Sequence, residues 1–330
     1  VTWTGKIIRF GATHPEDVCG DSVEWMDTRA VQLAEVLGPG TRSSIEFFWL
    51  SDVSASKHWC SDTAAGCADG GRIMTTFVPH EHEIVHALRK DHLPAVFEEG
   101  FATVYGDIGR ADPQGLIEPR ERLLEILETS DPVTVPDYAR AGHFVSFLIE
   151  RDGLEPLREL AELADYHDDI AEVRKAFEQA YGITLDQALE EYEDYPECID
   201  LAWMSREIAC REATTTIYPN IDGPVEFTMS VECGAEGVYG PMGGFVFSEV
   251  ALDIDPAYEH VPMNISLTGD IDAGVSAAFV SCGGGCSDAT AYWITPWSIQ
   301  QPSLPAGRYV VRLFRPLDSP GELGLEFRYM

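Results

Sequence analysis

The sequence predicts an α+β chain: a mixed α/β opening over residues 1–79, a helical stretch over 80–212 and an antiparallel β-sandwich over 213–330. Three observations predict it. Strand-like and helix-like segments alternate over the first 80 residues. From Pro79 to about Tyr192, apolar residues recur at helical spacing. Near residue 212 the composition turns to Thr, Val, Ser, Gly and Pro, and short alternating strands recur between turns.

In the opening, TGKIIRFGA and SSIEFFWLSD are apolar, β-branched or aromatic runs that read as strands. Between them DSVEWMDTRAVQLAEVLGPG has a helical period, with Val23, Met26, Ala30, Leu33, Ala34 and Leu37 on one face and Gly-Pro-Gly as terminator. GRIMTTFV is a further strand. In the helical stretch, PDYARAGHFVSFLIERDG starts near Pro136, carries Tyr138, Ala141, Phe144, Val145, Leu148 and Ile149 on one face, and closes at Gly153. LEPLRELAELA, DIAEVRKAFEQAYG and TLDQALEEYEDY follow in the same style, the second capped by Asp168 or Asp169. In the tail, VEFTMSV, GGFVFSEVAL, MNISLTG, GRYVVRLFR and LGLEFRY read as strands, with turns at Asp222-Gly223 and Pro305-Ala306-Gly307.

With 330 residues and 45% hydrophobic content, the chain can bury the cores of two ordinary domains. Its 56 acidic against 22 basic residues leave a net charge of −34, which argues against a nucleic-acid partner and against charge-driven binding to an anionic membrane. No run approaches the roughly 20 apolar residues of a membrane span. The chain starts at Val1 with no recognisable signal peptide, as either a trimmed mature form or a sequence cut at a chosen boundary would. Eight cysteines, an even number without zinc-ribbon spacing, imply disulfides and an oxidising, secreted or otherwise extracytoplasmic location. CSDTAAGC and CGGGC look like closed Gly-rich loops. The expected pairs include Cys60–Cys67 and Cys198–Cys210, and a thiolate metal site at CGGGC is the competing reading. Asn264-Ile265-Ser266 fits a glycosylation acceptor.

The chemistry concentrates in TTFVPHEHEIVHALRKDHLPAVFEEGFATVYG. His82 and His86 form the one His-Glu-x-x-His frame in it. Four residues apart on a helix, two imidazoles share a face and can share a zinc ion, while Glu83, one step round, can reach a water there without being a ligand. His80 falls outside the frame and is expected to be exposed at the helix start. A second helix from Pro94 can fold Glu98 or Glu99 over the first as a third ligand. They differ by about 100° in phase, so only one can point at the metal.

The segment resembles the gluzincin metallopeptidases. In their thermolysin and aminopeptidase branches the third ligand is a Glu on the helix after His-Glu-x-x-His, and EEGFA matches the aminopeptidase-like Asn-Glu-Gly-Phe-Ala with Glu98 in the Asn place. The resemblance therefore implies a zincin-like domain, one zinc per chain, Glu99 as third ligand and Glu83 as general base. The compact spacing, twelve residues between His86 and Glu99, is closer to the short bacterial peptidase-like domains. YARAGHFVSFLIERDGLEPLREL resembles a later helix of the group, where a Tyr stabilises the oxyanion, and Tyr138 is its counterpart. His143 is the second choice for that role. It lies about 140° round the helix from Tyr138, so both are not expected to face the metal. The Gly-x-Met-Glu-Asn sequence that grips a free amino group in aminopeptidases is missing, which argues against an exopeptidase. The end of the tail resembles β-sandwich domains appended to secreted bacterial peptidases, and a structural cover on the catalytic domain fits it equally.

The remaining expectations are structural. Tyr105 reads as packing and Thr103 as a partner of a ligand histidine. GRIMTTF is expected to be the edge strand to which a peptide substrate adds. His14, His58, His92, His167 and His260 read as surface or satisfied residues. The expected function is a secreted zinc peptidase acting on peptides or proteins. An aminopeptidase and a non-catalytic, zinc-stapled adhesion or binding protein are the alternatives.

Overall fold

The computed structural model describes residues 2–51, 60, 66–106, 120–129, 133–198, 202–212, 215–259, 261–271, 274–286, 291–296 and 302–330. The fold is α+β. The opening residues build a five-stranded mixed sheet from β1 (Trp3–Thr4), β2 (Ile8–Ala12), β3 (Ile45–Trp49), β4 (Gly66–Asp69) and β5 (Arg72–Thr75), in the order β1-β2-β3-β5-β4. β2, β3 and β5 are parallel, while β1 and β4 run antiparallel to their neighbours. GRIMTTF is thus an inner strand, not the edge. The edge beside it is β4, a four-residue strand with no β-branched residue to announce it.

Helix α1 (Ser22–Leu37) buries Val23, Met26, Ala30, Leu33 and Leu37, the face its periodicity predicts. Its buried Asp27 accepts hydrogen bonds from the backbone N–H groups of Lys6, Ile7 and Ile8 at 2.7–2.8 Å, which ties the helix to the start of the sheet. Two short helices follow, α2 (Glu81–Leu88) and α3 (Ala95–Gly106). Then come α4 (Arg120–Thr129), α5 (Val135–Asp152), α6 (Glu155–Leu163), α7 (Ile170–Tyr181), α8 (Leu185–Tyr192) and α9 (Trp203–Glu212). A capping box of Thr134 and Asp137 starts α5, and Asp169 caps α7 by accepting from Ala171 and Glu172.

The site depends on how closely α3 meets its neighbours, and glycines set that distance. A Cβ at Gly106 would lie 2.5 Å from the Cα of His82, and one at Gly142 would lie 2.8 Å from Thr103 Cγ2. A Cβ at Gly100 would collide with the carbonyl oxygen of Ala141 on α5. Gly100→Ala should gain about 1 kcal/mol of helix propensity yet lose about 1–3 kcal/mol to overpacking against rigid backbone. Net destabilisation is expected, read as a lower midpoint in urea; an unchanged or raised midpoint would contradict the close packing.

The tail forms two sheets. One has the order β12-β11-β13-β9-β6, with β8 also on β9; the other is β10-β14-β7. The strands are β6 (Thr216–Ile217), β7 (Val225–Ser230), β8 (Val238–Met242), β9 (Phe245–Ile254), β10 (Met263–Gly269), β11 (Ser276–Ser281), β12 (Ala291–Ile294), β13 (Gly307–Pro316) and β14 (Glu322–Tyr329). All pairings are antiparallel except β6 with β9, a departure from the fully antiparallel expectation. Val250, Leu252, Val311 and Leu313 from the larger sheet share a core with Ile265, Leu325 and Phe327 from the smaller. Because side chains alternate along a strand, the opposite face of β9 and β13 presents Phe247, Glu249, Arg312 and Phe314 to the helical part. The main core runs through to Phe247, Ala278 and Phe314, and Trp25 of α1 packs on Tyr239 and Phe247 at 5.2 and 5.9 Å.

Four disulfides form: Cys19–Cys233, Cys60–Cys67, Cys198–Cys286 and Cys210–Cys282. Cys60–Cys67 is as expected, but Cys198 and Cys210 do not pair with each other. CGGGC is not a closed loop; its two cysteines reach separately across to the helical part. All eight sulfurs are oxidised, so a thiolate metal site there is ruled out. Among the described residues no helix is long and apolar enough to cross a membrane.

Candidate metal centre

α2 begins directly after the loop that leaves β5. Acidic Glu81 and Glu83 in its first turn suit the positive end of the helix dipole. The i, i+4 spacing brings His82 and His86 together, with their Nε2 atoms 3.1 Å apart. Glu99 on α3 meets both: its Oε2 is 3.2 Å from His82 Nε2 and 3.4 Å from His86 Nε2. The three donor atoms lie within 4.8 Å of one another, an arrangement that can hold a metal ion. Burial alone would raise the Glu99 carboxyl, but hydrogen bonding with His82 and His86 outweighs it and brings the pKa down to about 2. Burial would likewise lower His86, yet contact with Glu98 and Glu99 raises it well above the ordinary range.

The choice between Glu98 and Glu99 resolves by where each carboxylate finds partners. Glu98, 2% exposed, points back beneath the histidines. Its Oε2 accepts from Arg89 Nη1 and from the Leu93 backbone, both at 2.9 Å, and its Oε1 lies 3.0 Å from His86 Nδ1. A carboxylate on the far nitrogen of a ligand histidine fixes its tautomer and direction. If His86 held a metal, Glu98 would be placed for that role; the Thr103 hydroxyl instead donates to the Glu99 carbonyl on its own helix at 2.8 Å.

Glu83 lines the same cleft, with Oε1 3.9 Å from His80 Nε2. His80 is buried rather than exposed: its Nδ1 is 2.7 Å from Thr75 Oγ1 as the loop folds back from β5. Tyr138 reaches the cleft and stacks on His82 at 5.2 Å, with 15° between the rings. Burial, then the nearby Glu99 and Glu83, pushes its phenol far up, so it stays protonated. His143 does not reach the cleft. It is fully buried with Nδ1 2.6 Å from Tyr192 Oη and Nε2 2.8 Å from the Pro196 carbonyl, the opposite side of α5 that the helical phase demands. His143 also lies near Cys198 and Cys286, but those sulfurs are bonded to each other.

The sequence reading missed the loop between α6 and α7. Asp165, Tyr166 and His167 line the cleft, as do the strand β4 residues Gly66 to Asp69. Burial, then Glu99 and Glu98, lifts the Tyr166 phenol to about 12. His92 also lines the cleft, 3.6 Å from Glu98. Aromatic and charged residues in a short loop after an amphipathic helix were the available signal. His14 sits beside Glu16 at 3.5 Å as a surface residue, Tyr105 packs on Phe101, and His58 and His260 lie outside the described residues.

No family model matches this chain, and no curated protein matches it. Among solved structures, PliG of Aeromonas hydrophila, a periplasmic inhibitor of g-type lysozyme, is similar at 12% identity and a TM-score of 0.25, over 35% of this chain and 96% of that one. The pre-peptidase C-terminal domain of a Bacillus anthracis collagenase is similar at 10% identity and a TM-score of 0.24, over 34% and 93%. PirA is similar at 14% identity and a TM-score of 0.19, over 34% and 97%. Likenesses this slight carry no argument about the fold or the chemistry of this chain, and the site stands on its own geometry.

Proposed function

We propose that the chain is a secreted, zinc-dependent peptidase of gluzincin type, with a zincin-like domain over residues 1–212 and a β-sandwich over 213–330. One observation carries the reading: His82, His86 and Glu99 converge from two helices within a cleft that also holds Glu83 and Tyr138. Two imidazole nitrogens and one carboxylate are a donor set that suits zinc and leaves a coordination position open. Zinc bound there would polarise a substrate carbonyl and acidify a water. Glu83 takes the proton from the attacking water and returns it to the leaving amine. Tyr138, held protonated, donates to the oxyanion as the carbonyl carbon becomes tetrahedral. The substrate backbone adds to the edge strand β4, which gives affinity with little side-chain selectivity. Four disulfides fit an oxidising, extracytoplasmic setting.

The test is metal content together with cleavage of casein or a quenched peptide, before and after a chelator. One zinc per chain, with cleavage lost on chelation and restored by zinc, is the expected result. Zinc without cleavage would favour the structural staple. Cleavage only of peptides with a free N-terminus would favour an aminopeptidase. No zinc after reconstitution would overturn the proposal.

A further inference from the structure

The contact between the tail and the helical part contains four buried charges that the proposed chemistry does not use. Arg312 of β13 donates to Glu249 Oε1 of β9 from Nε at 3.1 Å and from Nη2 at 2.6 Å. Its Nη2 also lies 3.8 Å from Glu81 Oε2. Glu81 Oε1 accepts from Arg29 Nε of α1 at 3.1 Å and from Ser205 Oγ of α9 at 3.3 Å. Trp25 Nε1 of α1 donates to Glu249 Oε2 at 3.3 Å. Arg29, Arg312 and Glu81 are 0, 2 and 5% exposed. Two guanidinium groups and two carboxylates balance, so the cluster is neutral only when complete.

Glu81 is the first residue of α2 and immediately precedes His82. Its carboxylate is directed into this cluster and does not line the cleft. A second contact reaches the loop just before α2, where the Val78 N–H donates to the Pro241 carbonyl at 2.8 Å. The neighbouring Gly240 exchanges hydrogen bonds with Ser22 Oγ of α1 at 2.9 and 3.0 Å. Three of the four disulfides bind the tail to the earlier residues. A buried ion pair adds little net stability over apolar packing of the same shape. What a guanidinium fork supplies is direction, because it donates to carboxylates only in its plane; here the fork is fixed on Glu249, and that sets where the Arg312 charge stands beside Glu81.

We infer that the β-rich tail is a built-in brace of the metal helix: Arg312, acting through Glu81, fixes the first turn of α2 and thereby the direction in which His82 presents its Nε2. Arg312 and Glu81 are positioning residues. The consequence for metal binding rests on the metal-site reading above; the brace itself does not.

The variants are Arg312→Lys, which keeps the charge and loses the fork, and the milder Glu81→Gln, which keeps the shape. Arg315→Lys is the control: Arg315 is equally buried on β13 and donates to carbonyls of the tail itself, those of Asp270, Ser319 and Glu322. Hydrogen exchange over Glu81–Leu88 is read alongside zinc affinity by chelator competition and the visible spectrum of the cobalt-substituted protein. Exchange in α2 about tenfold faster than in wild type, without matching change in α7, and zinc bound about tenfold more weakly with an altered cobalt spectrum, are expected in both variants but not in the control. Unchanged α2 exchange, or a uniform increase shared with the control, would overturn the brace. If wild type binds no zinc, the exchange result still decides the brace, and the peptidase reading alone falls.

Discussion

Glu83→Gln is expected to lower kcat by about 100- to 10,000-fold, the usual contribution of a general base, with zinc content and fold retained. Glu83 stands in the first turn of α2, one residue after His82, and is 9% exposed at the cleft. His82, His86 and Glu99 meet through their own Nε2 and Oε2 atoms, so an isosteric change at Glu83 leaves the three converging donors in place. Glu83 stands beside His80, which Thr75 holds at 2.7 Å, so the carboxylate is placed by a neighbour that does not itself line the cleft. Glutamine has the same shape and reach but cannot accept the water's proton. The measurement is kcat and KM for a quenched peptide together with zinc stoichiometry. A fall in kcat with KM and zinc unchanged assigns the proton transfer to Glu83. Less than a tenfold fall would show that another group acts as base, and the cleft offers Asp165 and His167 as places to look.

What could be read from the chain divides along the range of the interactions. The pairing of His82 with His86 follows from helical phase alone, and so does the mutual exclusion of Tyr138 and His143 from one face of α5. Glu98 and Glu99 could not be separated by phase, because the outcome depends on where Arg89 and the Leu93 N–H come to rest beneath α3. His80 was misread because helix starts are usually exposed. Here the loop returns from β5, and Thr75 meets the ring. The β4 edge escaped notice because GCAD has no strand-like composition. β11, SAAFVS, is buried along nearly its whole length and so lacks the alternation that marked β10. Disulfide partners up to 214 residues apart are set by how the tail docks, which no local spacing encodes. The same docking places Arg312 beside Glu81, and nothing near either residue in sequence announces it.

Glu98→Ala is expected to cost about 3–5 kcal/mol of stability, the range for breaking a buried ion pair from one side, and to weaken zinc binding about 10- to 100-fold. Both effects come from one carboxylate. Its loss leaves Arg89, 11% exposed, without its short-range counter-charge and the Leu93 N–H without its acceptor, and it frees His86 Nδ1 to turn. Glu98→Gln should be milder in stability, since an amide oxygen still accepts from Leu93, yet should weaken zinc binding in the same direction because the charge on His86 is gone. The acid limb provides an independent check. Burial would raise the Glu98 pKa, but Arg89 and then hydrogen bonds from His86 and His92 outweigh it and hold the carboxyl well below its ordinary value. A folded-state pKa lower than the unfolded one means that the contribution is complete above the unfolded value of about 4.3 and is lost as pH falls below it. Urea unfolding followed from neutral into acid solution should therefore show wild type losing more stability than Glu98→Ala, so that the two curves approach each other at low pH. Parallel curves would mean that Glu98 is not the ionised strut the geometry describes. Convergence accompanied by unchanged zinc affinity would separate its support of the fold from any hold on His86.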